Sequence, residues 1–249
     1  MQADLHKRAV RAAFGNAAAR YDSVAYVQRR IANALLGRCE KTSGIALDAG
    51  SGTGYALEEL RALSTSCVAL DHAAPMLRQA EAGGVCGDIE ALPLHAACIA
   101  LYYSSLAWQW TDATRSISEA ARVLQPGAQL VIATLGPGTL SELRDAFARA
   151  DNAEHVRRFA TADSYASQLA AAGFNNIEIS AAPFVAHAPD FRSMLRDIKT
   201  LGAHVMADRP RGLFGIQRFR RAEAHYESLR EAAGLPVTYE AVFITARRA

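Results

Sequence analysis

Three groups of residues have types and spacing suited to holding a small polar ligand. The first is Asp48-Ala49-Gly50-Ser51-Gly52-Thr53-Gly54, where glycine recurs at every second position behind a carboxylate. Glycines tolerate positive φ and let another molecule lie against the backbone. The second is Cys67-Val68-Ala69-Leu70-Asp71, a short apolar run ending in a carboxylate. An ionised Asp is acceptor-only, so Asp71 suits a pair of sugar hydroxyls. The third is Gly87-Asp88-Ile89-Glu90-Ala91-Leu92-Pro93-Leu94.

The glycine spacing discriminates between nucleotide-like ligands. A dinucleotide loop reads G-x-G-x-x-G and from Gly50 would need glycine at 55, where Tyr55 stands. A phosphate loop ends in G-K-[S/T], and no lysine occurs between Lys41 and Lys199. What stands is D-x-G-x-G-x-G, which makes no obvious provision for a pyrophosphate. A nucleoside with a zwitterionic tail fits better, which is S-adenosylmethionine. The stretch resembles the first motif of the class I methyltransferases, Asp71 the second and Gly87–Leu94 the third. The resemblance implies a cofactor pocket drawn from Tyr21, Gln28, Asp48, Gly50, Ser51, Gly52, Gly54, Asp71, His72, Met76, Asp88, Ile89, Ser104 and Leu106. Within it Asp71 would take the ribose, and Asp88 with the following amide the adenine.

These residues need a frame, and the chain is long enough for one. Its 249 residues, 51% hydrophobic, can bury a large core as one domain with elaborations. Ile45–Ala49 and Cys67–Asp71 read as buried parallel strands, and residues 98–104 as a central strand covered on both faces. Helices are expected from Tyr55, from Pro75 and over 112–124, with a fifth strand at 129–134. Further helices are expected at about 139–150, 161–172, 189–202 and 216–233, with strands at 176–182 and 239–246. Ahead of this core, residues 5–20 form a helical pattern interrupted at Phe14-Gly15. After a break at Tyr21-Asp22, a second helix is expected over 23–38. The fold class is therefore α/β, a Rossmann-like sheet of seven strands whose last is antiparallel by analogy with the class I fold. The division is a helical lid (1–43), a cofactor-binding core (44–186), a helical insertion (187–236) and a closing strand (237–249).

Charge is uneven along this frame. Residues 1–43 hold eight Lys/Arg against three Asp/Glu, 44–186 eight against fifteen, and 187–249 eleven against seven. An acidic core thus lies between basic ends. Arg192, Arg196 and Lys199 share one face of the 189–202 helix, and Arg218, Arg220 and Arg221 follow on the next. Such an arrangement suits an acidic partner. The four cysteines, Cys39, Cys67, Cys86 and Cys98, form no C-x-x-C pair and are expected reduced and buried. With no apolar run of membrane-spanning length, the expectation is a soluble cytoplasmic protein. No N-P-P-Y-like tetrad follows the fourth strand, where Ser104-Ser105-Leu106-Ala107 stands, which disfavours nucleic-acid methylation.

A closer resemblance covers nearly the whole chain. Phe14-Gly15 with Tyr21-Asp22, Leu106-Ala107-Trp108-Gln109-Trp110, and Leu135-Gly136-Pro137-Gly138-Thr139-Leu140 are similar to the malonyl-[acyl-carrier protein] O-methyltransferases of biotin synthesis. So are His155–Phe159, Met194–Ala203 and Gly234–Glu240. Ser51 departs from the commoner cysteine, and residues 95–105 lack the family's acidic residue before the fourth strand and asparagine after it. The resemblance implies methyl transfer from S-adenosylmethionine, leaving S-adenosylhomocysteine, to the free carboxylate of a malonyl thioester, without a metal. The partner would be an acidic acyl-carrier protein bearing malonyl-phosphopantetheine, with no nucleic acid and no membrane. A malonyl half-acid is already ionised at pH 7, so no catalytic base is required and Tyr21 is a candidate orienter. Arg196, Lys199, Arg218 and Arg221 are the candidates for carrier and carboxylate binding. Another small acid or malonyl-CoA as acceptor, or a cofactor-binding paralogue without turnover, stays open on the residues alone.

Overall fold

The structure is a computed structural model that describes residues 2–80, 83–150, 154–201 and 216–249. Its element order is α1 (Gln2–Val24), α2 (Tyr26–Leu36), β1 (Ile45–Ala49), α3 (Leu57–Leu63), β2 (Ser66–Asp71), α4 (Ala74–Leu77), β3 (Val85–Cys86) and β4 (Ile99–Ser105). There follow α5 (Ala113–Val123), β5 (Leu124–Leu135), α6 (Ser141–Ala148), α7 (Ala162–Ala171), β6 (Phe174–Ala188), α8 (Phe191–Thr200), α9 (Ile216–Glu227) and β7 (Leu235–Arg248).

The strands form one sheet in the order β3-β2-β1-β4-β5-β7-β6. Neighbours are parallel except that β7 runs antiparallel to both β5 and β6. Apolar side chains on each face explain the two principal cores. Tyr103, Val131 and Phe243 pack with α2 on one side, and Leu47, Tyr102 and Ile132 with α5 and α7 on the other. The chain winds outward from β1 in one direction and from β4 in the other. The carboxyl edge between them is the switch point at which such sheets bind ligands.

Several boundaries differ from the sequence reading for identifiable reasons. α1 runs unbroken through Phe14-Gly15 and Tyr21-Asp22. A Cβ on Gly15 would lie 3.3 Å from the Pro75 ring, so this glycine serves helix packing rather than a break. The real corner is at Ala25, which is buried. β5 begins five residues early because Leu124 already pairs with Ile99, and Pro126-Gly127 lie within it. β6 continues through Pro183 to Ala188, which an edge strand permits because proline's missing N–H faces no partner there. α8 ends at Thr200, while Gly202 and Ala203 lie outside the described residues. α9 ends at Glu227, short of the expected 233. Cys39, Cys67 and Cys98 are half-buried and Cys86 is exposed on the short edge strand, so the expectation of buried thiols is corrected.

One consequence of the longer β6 governs the site. β5 pairs with β7 only from Leu135–Ala241 to Gln129–Arg247, whereas β6 stays paired with β7 to Ala188–Leu235. Residues 183–188 and 235–240 therefore rise past the end of β5 as a two-stranded ribbon, from which α8 and α9 hang. Glu240 ties this ribbon to the loop after β5. Its carbonyl accepts from the Gly136 N–H at 2.8 Å and its carboxylate from the Gly138 N–H at 2.7 Å. A Cβ on Gly136 would strike that carboxylate.

Candidate active site

The glycine loop is built around Asp71. The Gly50 and Ser51 amides donate to the Leu70 carbonyl at 2.7 and 3.0 Å, which folds the loop back onto β2. One Asp71 carboxylate oxygen accepts from Gly52 N–H at 2.9 Å and the other from Ala73 N–H at 2.7 Å. Each oxygen keeps a further lone pair for a ligand hydroxyl. Burial raises the Asp71 pKa, and these two amides oppose that rise. Gly50 has φ +84° and a Cβ there would overlap Ala107. Gly52, at φ +55°, has nothing within 4 Å of its missing Cβ and faces the open site.

Two connected chambers lie over this loop. The larger, about 120 Å³, is lined by Asp71, His72, Met76, Asp88 and Ile89 together with Lys7, Phe14 and Trp110. The smaller, about 70 Å³, is lined by Asp48, Ser51, Tyr55, Gln28, Arg29 and Tyr103. Tyr21, Gly50, Gly52, Ser105 and Leu106 border both. α1 roofs the first chamber because Val10, Phe14, Ala18 and Tyr21 repeat at helical spacing along its lower face. Phe14 meets Trp110 edge-on at 5.7 Å.

Charge is distributed differently in the two chambers. In the first, Lys7 reaches down from α1 to Asp88 at 2.6 Å and Glu90 at 2.7 Å. Burial works against the Asp88 carboxylate, but the Lys7 hydrogen bond, the Glu90 N–H and the positive charge of Lys7 together outweigh it and hold the pKa below its ordinary value. In the second, Asp48 is buried and its pKa is pushed up to about 8 by burial and by Asp71. Three residues lining that chamber each carry a buried polar atom without a partner among the described residues, Gln28 Oε1, Arg29 Nε and Ser51 Oγ, while the Arg29 guanidinium also pairs with Asp22 at 3.2 Å. Unpaired buried polar atoms are costly, so a chamber carrying three is shaped for a polar occupant. An acceptor, a cationic donor and a hydroxyl beside Asp48 match the ammonium and carboxylate of an amino-acid tail.

Most of the expected cofactor residues are brought together here, and two are not. Ser104 is fully buried and donates its hydroxyl to the Ala49 carbonyl at 2.6 Å, while Ser105 lines the site with Tyr103. Alternation along β4 puts 103 and 105 on one side, so the sequence reading was one residue out of phase. Gly54 lines neither chamber. A Cβ there would lie 2.8 Å from Leu57 and 2.9 Å from Ala80, so it serves the packing of α3. Lys7 and Arg29 were missed. Arg29 stands beside Gln28, the expected neighbour, and Lys7 falls one turn before Val10 and Arg11 on the roofing helix.

A third cavity, about 460 Å³, adjoins the second chamber at Gln28. α8 contributes Met194, Asp197 and Ile198 to it. Arg196, Lys199, Arg218 and Arg221 are all exposed and line none of the three spaces. A carboxylate inside the cavity would therefore not meet Arg196 or Lys199, which corrects that part of the expectation. Among the described residues no cluster of His, Cys, Asp or Glu is arranged to hold a metal.

Comparison with known proteins gives the family and the fold. Residues 47–132 match the family model described as a methyltransferase domain. The chain is 39% identical to a malonyl-[acyl-carrier protein] O-methyltransferase of Dechloromonas aromatica, over 97% of this chain and 95% of that one. It is 38% identical to the enzyme of that name from Laribacter hongkongensis, over 95% and 88%. The chain belongs to the malonyl-[acyl-carrier protein] O-methyltransferase family. Among solved structures, the YcgJ protein of Bacillus subtilis is similar, with a TM-score of 0.61 over 88% of this chain and 97% of that one. At 14% identity that likeness concerns the fold alone. The α/β fold expected from the sequence is the fold of this O-methyltransferase family member. No helix among the described residues is long and apolar enough to cross a membrane.

Proposed function

We propose that the protein methylates the free carboxylate of a malonyl group carried as a thioester on an acyl-carrier protein, the step that starts a pimeloyl chain for biotin. S-adenosylmethionine supplies the electrophilic methyl group on its sulfonium. The observation that carries cofactor choice is the second chamber, whose unpartnered Gln28 Oε1, Arg29 Nε and Ser51 Oγ fit a zwitterionic tail. Asp71 would hold the ribose, and the Asp88–Ile89 side of the first chamber the base. The malonyl acceptor is supported by the relatives' names and by their identity along nearly the whole chain.

The residues at the junction of the chambers suit this chemistry. A malonyl half-acid arrives ionised at neutral pH, so no proton need be removed. Burial, then Asp71 and Asp22, raise the Tyr21 pKa, which keeps its phenol a neutral donor. Tyr21 then orients the acceptor rather than acting as a base. Fixing two reactants in line can supply about 7–11 kcal/mol of a barrier. The residues 187–236 would recognise the carrier through exposed Arg196, Lys199, Arg218 and Arg221, complementary to an acidic partner in the cytoplasm. Nothing in this scheme calls on a metal.

The test is incubation with methyl-labelled S-adenosylmethionine and malonyl-carrier, malonyl-CoA or free malonate. Alkali-labile label on malonyl-carrier, well above the other two, is expected. Label on none of them, with S-adenosylhomocysteine still bound, would refute it and leave a cofactor-binding paralogue.

A further inference from the structure

The third cavity shares only Gln28 with the two chambers over the glycine loop, yet it is larger than either. Its volume, about 460 Å³, lies within the usual range for ligand sites. It sits beneath the β6–β7 ribbon, between α2 and α8, and its walls are mixed. Val27, Val185, Met194, Ile198 and Val237 are apolar, while Gln28, Asp197 and Tyr239 supply polar groups. Such walls suit a long, thin molecule with amide groups spaced along an aliphatic chain. They do not suit a fatty tail.

Its two ends are chemically distinct. At the inner end Gln28 borders both this cavity and the second chamber, and its Oε1 is buried without a donor among the described residues. Burial, then Asp197 and Tyr21, raise the Tyr239 pKa, so Tyr239 on the cavity wall is within electrostatic reach of Tyr21 at the chamber junction. At the outer end the exposed Arg30 is held in place rather than free to wander. Its guanidinium lies 5.6 Å from the Tyr26 ring centre and 5.4 Å from that of Phe184, and donates to the Val185 carbonyl at 3.3 Å. Tyr26 is 67% exposed, a large aromatic left facing solvent at this entrance.

We propose that this cavity is the channel for the phosphopantetheine arm of the acyl carrier. The arm's phosphodiester meets Arg30 at the mouth, its amides pass Asp197, Tyr239 and Gln28, and the thioester end arrives beside Tyr21. This rests on the carrier-linked malonyl reading above and assigns it a route. The ribbon explains why the route exists here, since β6 and β7 outrun β5 and lift α8 off the carboxyl edge. The exposed basic residues of α8 and α9 then meet the carrier's body rather than its prosthetic group.

Ala186→Trp fills the channel, and Ala186→Leu fills less of it should the larger residue disturb folding. Affinity is measured by titration with carrier lacking the arm (apo) and carrier bearing it unacylated (holo). The wild type is expected to bind holo-carrier roughly tenfold more tightly than apo-carrier, the difference one or two buried hydrogen bonds would make. Each Ala186 variant should reduce that ratio toward one while S-adenosylhomocysteine affinity stays unchanged. In turnover, the variants should raise KM for malonyl-carrier and leave a malonyl thioester of a short thiol unaffected. Equal wild-type affinity for apo- and holo-carrier, or Ala186 variants that keep the holo preference, would overturn the channel. Those binding outcomes are separate from failure of the methylation itself, which shows as absence of label on wild-type malonyl-carrier.

Discussion

The carboxyl edge of β1, β2 and β4 and the helices α8 and α9 handle charge in opposite ways. Along the edge, Asp48 is buried and Asp71 half-buried, both with raised pKa values, and Gln28, Arg29 and Ser51 carry unpaired buried atoms. On α8 and α9 the cations Arg196, Lys199, Arg218 and Arg221 stand exposed. Buried, incompletely satisfied polar groups are worth several-fold more to a fitting ligand than screened surface charges are to a partner. The contrast implies that the edge determines which small molecule binds, and the helices how quickly and in what orientation a large one arrives.

Perturbing the edge should have the largest effects. Asp71→Ala removes the acceptor proposed for a ribose diol and the anchor of the Gly52 and Ala73 N–H groups together. Charge-assisted bonds of about 1.5–3 kcal/mol predict S-adenosylhomocysteine affinity roughly hundredfold weaker by calorimetry. Unchanged affinity in a folded variant would remove Asp71 from the site.

Asp48 makes a pH-dependent prediction. Its folded pKa of about 8 lies above that of the unfolded chain, so the native state holds a proton that the unfolded state releases. This contribution is present in acid and is lost as pH rises from about 4 through about 8, by at most about 1.4 kcal/mol per pH unit. Asp71, shifted in the same direction, adds to the trend. Thermal melts of the ligand-free protein should fall in Tm from pH 5 to pH 8, and Asp48→Asn should flatten the fall without abolishing it. A Tm difference between wild type and variant that does not change with pH would contradict the buried, protonated carboxyl.

Arg29→Leu sharpens the assignment of the second chamber. It should weaken S-adenosylhomocysteine binding about tenfold, yet leave methylthioadenosine, which lacks the amino-acid tail, unaffected. The smallest effect belongs to the helices. Lys199→Glu with Arg221→Glu should raise KM for malonyl-carrier several-fold at low salt, and the effect should fade as salt screens the charges.

What could be seen in the sequence follows the same divide. The glycine loop, Asp71 and the Asp88 stretch were legible because each is a local strand-to-loop pattern whose geometry depends on a few consecutive residues. Ser104 was misplaced because an apolar run covered on both faces gives no sign of which alternate residues face the site. Lys7 was invisible because its role needs α1 to pass unbroken over the sheet, and Gly15 looked like a break until Pro75 was seen packed against it. The third cavity could not be foreseen, since it depends on β6 continuing through Pro183 and rising beyond β5. Arg192, Arg196 and Lys199 stand exposed along α8 as their spacing predicts, but only the packed structure shows that Met194, Asp197 and Ile198 occupy the inward face.

The division of labour is tested most directly by measuring two constants on two variants. S-adenosylhomocysteine affinity and KM for malonyl-carrier at low salt would be determined for Arg29→Leu and for Lys199→Glu with Arg221→Glu. The account predicts a crossed pattern: Arg29→Leu loses affinity for S-adenosylhomocysteine, and the charge-reversed variant loses only carrier recognition. If the charge-reversed variant lost cofactor affinity as well, or Arg29→Leu kept it, the assignment of the edge to the cofactor and the helices to the carrier would be wrong.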